Sequence, residues 1–169
     1  MSSSTDRKEA RASLLHVVSD VVNLWSERLL FLLIVAMVIV TTAQVVFRFF
    51  FEALTWSEEL SCFLLVFASL VGSSVAFKRG SHIAVTFLAE KLPVMLRKIL
   101  ATLVYILGCV FFVIVAVYGA GLMKSEAGQT TPALLISMKW IYLIYPVVGT
   151  VTTLHLVDGI ARVWEGRQP

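Results

Sequence analysis

The sequence predicts an all-α integral membrane protein, with four transmembrane helices, amphipathic interfacial helices beside them and both termini in the cytoplasm. Three observations carry that expectation. The 169 residues are 59% hydrophobic with a mean hydropathy of +0.89, beyond the roughly 45–50% apolar content of soluble domains. The apolar residues fall in four blocks, 29–47, 60–77, 99–123 and 141–157, each near the ~20 residues that cross hydrocarbon at about 1.5 Å apiece. The basic residues are distributed unevenly. Arg7, Lys8, Arg11 and Arg28 precede the first block, Lys78, Arg79, Lys91, Arg97 and Lys98 lie around the second connection, and Arg162 and Arg167 follow the fourth block. Only Arg48, Lys124 and Lys139 are left for the other connections. Short loops rich in Lys and Arg stay cytoplasmic, so the termini and the 78–98 connection are expected inside, and 48–59 and 124–140 outside. The net charge of +3 is too small to suggest nucleic acid as a partner. Residues 1–169 read as a single membrane domain.

Along the chain, residues 2–6 (Ser-Ser-Ser-Thr-Asp) are expected to be disordered. Over 7–25, Leu14, Leu15, Val18, Val21, Val22 and Trp25 recur at helical spacing against Arg7, Arg11 and Asp20, which predicts a helix lying on the cytoplasmic interface. The first span is longer than a signal-peptide core and lacks a small-residue cleavage pattern behind it. It ends at Arg48 among Phe47, Phe49, Phe50 and Phe51, the composition of an interface anchor. Gln44 is the one strongly polar group inside it. In the second span Ala68, Gly72 and Ala76 stand four apart, with Ser69 and Ser73 beside them. Small residues at that spacing let membrane helices approach closely, here within the chain or with another protein.

Gly80 and Ser81 end that helix. In 82–98, Ile83, Phe87, Leu88, Leu92, Met95 and Leu96 interleave with Glu90, Lys91, Arg97 and Lys98, and Pro93 is expected to divide the segment into two short pieces. These would lie flat on the cytoplasmic leaflet, their basic rim drawing anionic membrane lipids. Gly108, Ala116, Gly119, Ala120 and Gly121 slim the third span. Lys139, Trp140, Tyr142 and Tyr145 form an aromatic belt at the entry to the fourth, which Pro146 loosens. Cys62 and Cys109 fall inside spans and read as buried, inert thiols rather than a disulfide.

Chemistry-bearing motifs are missing, so the chain is not expected to be an enzyme or to need a cofactor or metal. There is no glycine-rich phosphate loop and no redox cysteine pair. His16 and His82 fall in interfacial segments, and His155 stands alone at the end of the fourth span, where an interface role outweighs that of a haem ligand. No Asp, Glu, Lys or Arg falls at the middle of a span, where such groups mark ion paths. The chain does not look able to carry a solute by itself. A small multidrug exporter would need an acidic residue in an early span, and the first span has only Gln44.

The stretch Thr55-Trp56-Ser57-Glu58-Glu59 at the entry to the second span admits three readings. Thr55 and Glu58 fit a capping box, in which the hydroxyl accepts from the amide of Glu58 and the carboxylate reaches back to that of Thr55. Glu59 points about 100° away and is free to pair with Arg48 or a cation on another protein. A general acid/base pair is the weakest reading, because no nucleophile or metal ligand accompanies it.

Trp56-Ser57-Glu58-Glu59, the small-residue run Gly72-Ser73-Ser74-Val75-Ala76-Phe77, the following Lys78-Arg79-Gly80-Ser81-His82-Ile83-Ala84-Val85 and the late Trp140-Ile141-Tyr142-Leu143-Ile144-Tyr145-Pro146 together resemble the small (Q-type) membrane subunit of tripartite ATP-independent periplasmic (TRAP) transporters, from about Trp25 to Asp158. The resemblance implies sodium-driven uptake of an organic acid, such as a dicarboxylate or sialic acid, delivered by a periplasmic substrate-binding protein. It implies location in the bacterial inner membrane and a scaffold role beside a large multi-span permease subunit that holds the ion and substrate sites. On that reading Arg48, Trp56, Glu58, Glu59, Ala68, Gly72, Ala76, His82 and Trp140 are candidate partner-binding residues. The alternative is a non-catalytic four-helix anchor or assembly subunit of a respiratory or other membrane complex.

Overall fold

No glycine occurs before Gly72 and no proline before Pro93, so nothing in the first fifty residues ends a helix once it has begun. The computed structural model describes residues 2–79 and 93–165, with side chains from residue 15 onward. Its first helix, α1 (Ser2–Phe50), is a single run of 49 residues, roughly 70 Å long at about 1.5 Å per residue. This corrects two expectations. Residues 2–6 are helical, and the 7–25 segment continues into the first span without a break. The polar face of that segment is turned inward. His16 and Ser19 are buried against the rest of the protein, whereas Val17, Val18, Val21, Leu24 and Trp25 are exposed.

Helix α2 (Thr55–Lys78) begins from Leu54, whose backbone is extended and which makes no side-chain cap bond. The expected capping box is absent because Thr55 already sits inside the helix, one position past the cap. The fully buried Ser57 instead sends its hydroxyl to the Leu54 carbonyl at 2.7 Å. Glu58 remains in the first turn, where its charge suits the positive end of the helix dipole.

Helix α3 (Val94–Ser125) runs for 32 residues from Pro93. The proline therefore starts a helix rather than dividing two short pieces. It lacks the N–H that a helix start leaves unused, and its carbonyl accepts from Arg97 at 3.1 Å. The 94–98 half of the expected flat connection is the first turn of α3, and residues 82–92 lie outside the described residues. The last span is split into α4 (Met138–Tyr142) and α5 (Ile144–Glu165). The break falls at Leu143, where Pro146 has no N–H to offer the carbonyl of Tyr142.

The helices pack in the order α1, α2, α5, α3, with α1 also reaching α5. Tyr105 and Phe112 of α3 and Leu156 of α5 form the core, flanked by Phe77, Ala101, Cys109, Ile160 and Val163. Phe77 of α2 meets Phe112 edge-on at 5.3 Å. Glycines set the closest approaches. A Cβ on Gly149 would lie 2.8 Å from both the carbonyl oxygen of Phe112 and the Cβ of Ala116, and one on Gly159 would lie 2.8 Å from the Tyr105 ring. Phe31, Leu32, Val38 and Ile39 of α1, and Leu103, Leu107, Val110 and Phe111 of α3, are exposed. Four helical segments, Leu15–Phe50, Thr55–Lys78, Val94–Ser125 and Met138–Glu165, are long and apolar enough to cross a membrane.

Candidate functional site

Polar side chains converge at one end of the molecule. His16, Ser19 and Asp20 come from the first half of α1, Lys78 from the last turn of α2, and His155, Asp158, Arg162 and Glu165 from the last three turns of α5. The spacing explains the meeting. Residues 16, 19, 20, 23 and 27 make one stripe of a helix, and 155, 158, 162 and 165 make another.

Asp158 is the hub, with its side chain 1% exposed. One carboxylate oxygen bonds Nδ1 of His16. The other accepts from Lys78 at 2.5 Å and from Nε of Arg162 at 3.0 Å. Lys78 also reaches the Ser19 hydroxyl at 2.7 Å and Asp20 at 2.7 Å, and Nη2 of Arg162 closes the ring on Asp20 at 2.9 Å. The second ring nitrogen of His16 lies 3.2 Å from Glu165. His155, expected to stand alone, is buried with Nδ1 2.8 Å from the Ser19 hydroxyl.

Cations and carboxylates that would each be costly in an apolar surrounding thus neutralise one another. The network pins both chain-terminal helices and the end of α2 to one side. Just outside it, Arg79 pairs with Glu27 at 2.9 Å, but Arg79 is well exposed. Exposed pairs contribute roughly 0.2–1 kcal/mol, so Arg79→Ala is expected to lower unfolding stability by no more than about 1 kcal/mol, measured by denaturant titration in detergent.

At the opposite end, Glu59 takes neither Arg48 nor another side chain. Its Oε2 accepts the backbone N–H groups of Ala133 and Leu134 at 2.8 and 3.0 Å, clamping the loop between α3 and α4 to the second turn of α2. Arg48, Glu52, Glu58 and Lys124 are exposed around this end, and so are Trp56 and Trp140.

The small-residue run divides between two faces. Ala68 is buried, and a Cβ on Gly72 would lie 3.7 Å from Leu30 of α1, an ordinary contact within the chain. Ala76 is exposed, as are Ser69 and Ser73, whose hydroxyls return to their own helix at 2.8 Å. Cys62 is exposed rather than buried, because α2 presents that face to nothing in this chain, and Cys109 is half-buried. Both thiols are free. His82 lies outside the described residues.

Among the described residues, no three His, Cys, Asp or Glu side chains are arranged to hold a metal ion. The buried ionisable groups hold helices together, and the outer faces of α1 and α3 are bare and apolar. These features define a multi-pass membrane protein whose recognisable surfaces face lipid or another protein.

The chain belongs to the DctQ component of the tripartite ATP-independent periplasmic transporters, whose family model matches residues 37–166. The sialic acid TRAP transporter small permease protein SiaQ of Vibrio cholerae is 29% identical over 147 residues, covering 86% of this chain and 85% of that one. The sialic acid TRAP transporter permease protein SiaT of Haemophilus influenzae is 28% identical over 127 residues, which is 75% of this chain and 21% of SiaT. The isethionate TRAP transporter permease protein DctMQ of Oleidesulfovibrio alaskensis is 26% identical over 135 residues, again 75% of this chain and 21% of the relative. The chain therefore spans about a fifth of the length of those two longer relatives.

Proposed function

We propose that this chain is the non-catalytic small scaffold subunit of a sodium-gradient-driven importer of an organic acid, resident in the bacterial inner membrane. A large permease subunit packs beside it and carries the ion and substrate sites, and a periplasmic binding protein delivers the acid. The carrying observation is the family match over residues 37–166, on a chain whose α1 and α3 faces are bare and apolar.

Two further facts support the reading. In the SiaT and DctMQ proteins the matching stretch is a fifth of a longer permease protein, as expected if small and large components work side by side. The sialic acid and isethionate in those relatives' names are both acids, which favours a carboxylate or similar anion here. The polar network gathers the α1 and α5 ends with the end of α2 on one side, and the basic residues of that side favour the cytoplasm. Contacts to the large subunit would then run along the apolar walls, and the exposed charges at the far end would tune docking rate more than affinity.

A gentle-detergent pull-down of the tagged chain from its native membrane tests this. The expected result is a multi-span permease recovered in roughly equal amount, with a solute-binding protein captured when substrate is present. Recovery of redox subunits, or of the chain alone, would overturn the transporter reading and favour the anchor-subunit alternative.

A further inference from the structure

The connection between α3 and α4 carries the apolar stretch Pro132-Ala133-Leu134-Leu135-Ile136 in a non-helical conformation. A loop in water needs no internal partners for its amides, because solvent supplies them. A loop in hydrocarbon must satisfy its amides within the protein. From Thr131 to Ile136 every backbone N–H is satisfied internally. Thr131 donates to the Ile136 carbonyl at 2.8 Å and Leu135 to the Thr131 carbonyl at 3.1 Å. Ala133 and Leu134 donate to the Glu59 carboxylate, Ile136 donates to the Thr131 hydroxyl at 3.1 Å, and Pro132 has no N–H to satisfy.

The side chains do the opposite. Pro132, Ala133, Leu135 and Ile136 are exposed, and Leu135 is 74% exposed with φ of +54°, a conformation that a bulky residue adopts rarely. The Glu59 bonds place the tip beside the second turn of α2, one turn in from Thr55. Lys139 and the exposed Trp140 follow on the same connection, a pairing typical of the headgroup level.

We propose that the Pro132–Ile136 tip is a membrane anchor that dips into the leaflet on the side away from the chain termini, with Leu135 and Ile136 among the acyl chains. Glu59 serves as the acceptor that lets this irregular backbone enter a dry layer. The proposal rests on the four-span architecture and not on the transport reading.

The test is spin-label accessibility in the full chain, with Cys62→Ala and Cys109→Ala removing the native thiols. Labels are placed at Leu135→Cys, at Leu107→Cys on the exposed face of α3 as a hydrocarbon reference, and at Gly128→Cys, where a side chain meets nothing within 4 Å, as an aqueous reference. In nanodiscs of phosphatidylethanolamine and phosphatidylglycerol, the Leu135 label is expected to collide several-fold more with oxygen than with a nickel chelate, as Leu107 does. A nickel-dominated profile like that of Gly128 would overturn the proposal. So would a label shielded from both reagents when the chain is co-purified with its membrane partner, since a protein would then cover the tip. Glu59→Ala is expected to move the Leu135 label towards the aqueous profile, and Glu59→Gln, which keeps an acceptor oxygen, is expected to leave it in lipid. An unchanged profile in Glu59→Ala would show that the carboxylate does not hold the tip there.

Discussion

Asp158→Asn is expected to lower the unfolding free energy of the detergent-purified chain by about 3–5 kcal/mol, the range for removing one partner of a buried ion pair. The side chain keeps its shape but loses the charge that balances Lys78, Arg162 and His16 at once. Lys78, 9% exposed, and Arg162 would then share the single carboxylate of Asp20, which is largely open to solvent. The cost comes from uncompensated charge rather than from any large net gain of the original pairs. Lys78→Met should therefore cost less, because Asp158 retains Arg162 and His16. The double variant should cost less than the sum of the two, because the residues share one network. Unfolding followed by tryptophan fluorescence decides the matter. A loss below that expected for Arg79→Ala would show that the network does not hold the helices.

Gly149→Ala is expected to cost about 3 kcal/mol, the upper end of the ordinary range for overpacking. The added methyl would lie 2.8 Å from the Phe112 carbonyl oxygen and 3.0 Å from the Ala116 amide nitrogen. Both are backbone atoms that no rotamer change can move, so α3 and α5 must separate. Gly72→Ala is the contrasting control. Its new methyl would meet the flexible end of Leu30 at 3.7 Å, and alanine is favoured over glycine in a helix by up to about 1 kcal/mol. It should leave stability unchanged or slightly raised. Thermal unfolding of the two variants side by side separates a close backbone approach from an incidental small residue, and equal losses in both would contradict the packing described.

Much of the architecture could be read from composition and pattern. The four spans follow from the length of the apolar blocks, and the interruption of the last follows from Pro146. Two further placements at the outer end, Trp56 and Trp140, are as exposed as their interface-anchor composition suggests. Local chemistry was less legible. Thr55 and Glu58 spell a capping box, yet a helix boundary shifted by one residue removes it. Glu59 read as a side chain awaiting a cation, because the amides it accepts lie 74 and 75 residues further on. The small residues of α2 drew more weight than Gly149 and Gly159, which lie where α5 meets α3 and carry the tighter contacts. The one signal that could have exposed the polar network is the pair of helical stripes at 16, 19, 20, 23 and 155, 158, 162, 165. Each read separately as an ordinary solvated face.

The sequence by itself determined that this protein crosses a membrane four times, because hydrocarbon thickness sets a length of apolar chain that no folding partner can change. It also determined that α1 would be unbroken, since no residue in it terminates a helix. Only the tertiary structure decided which faces meet. His16 and Asp158 are 142 residues apart and acquire their meaning when α1 and α5 lie side by side, and such pairing depends on shape and charge complementarity between distant surfaces rather than on any local propensity.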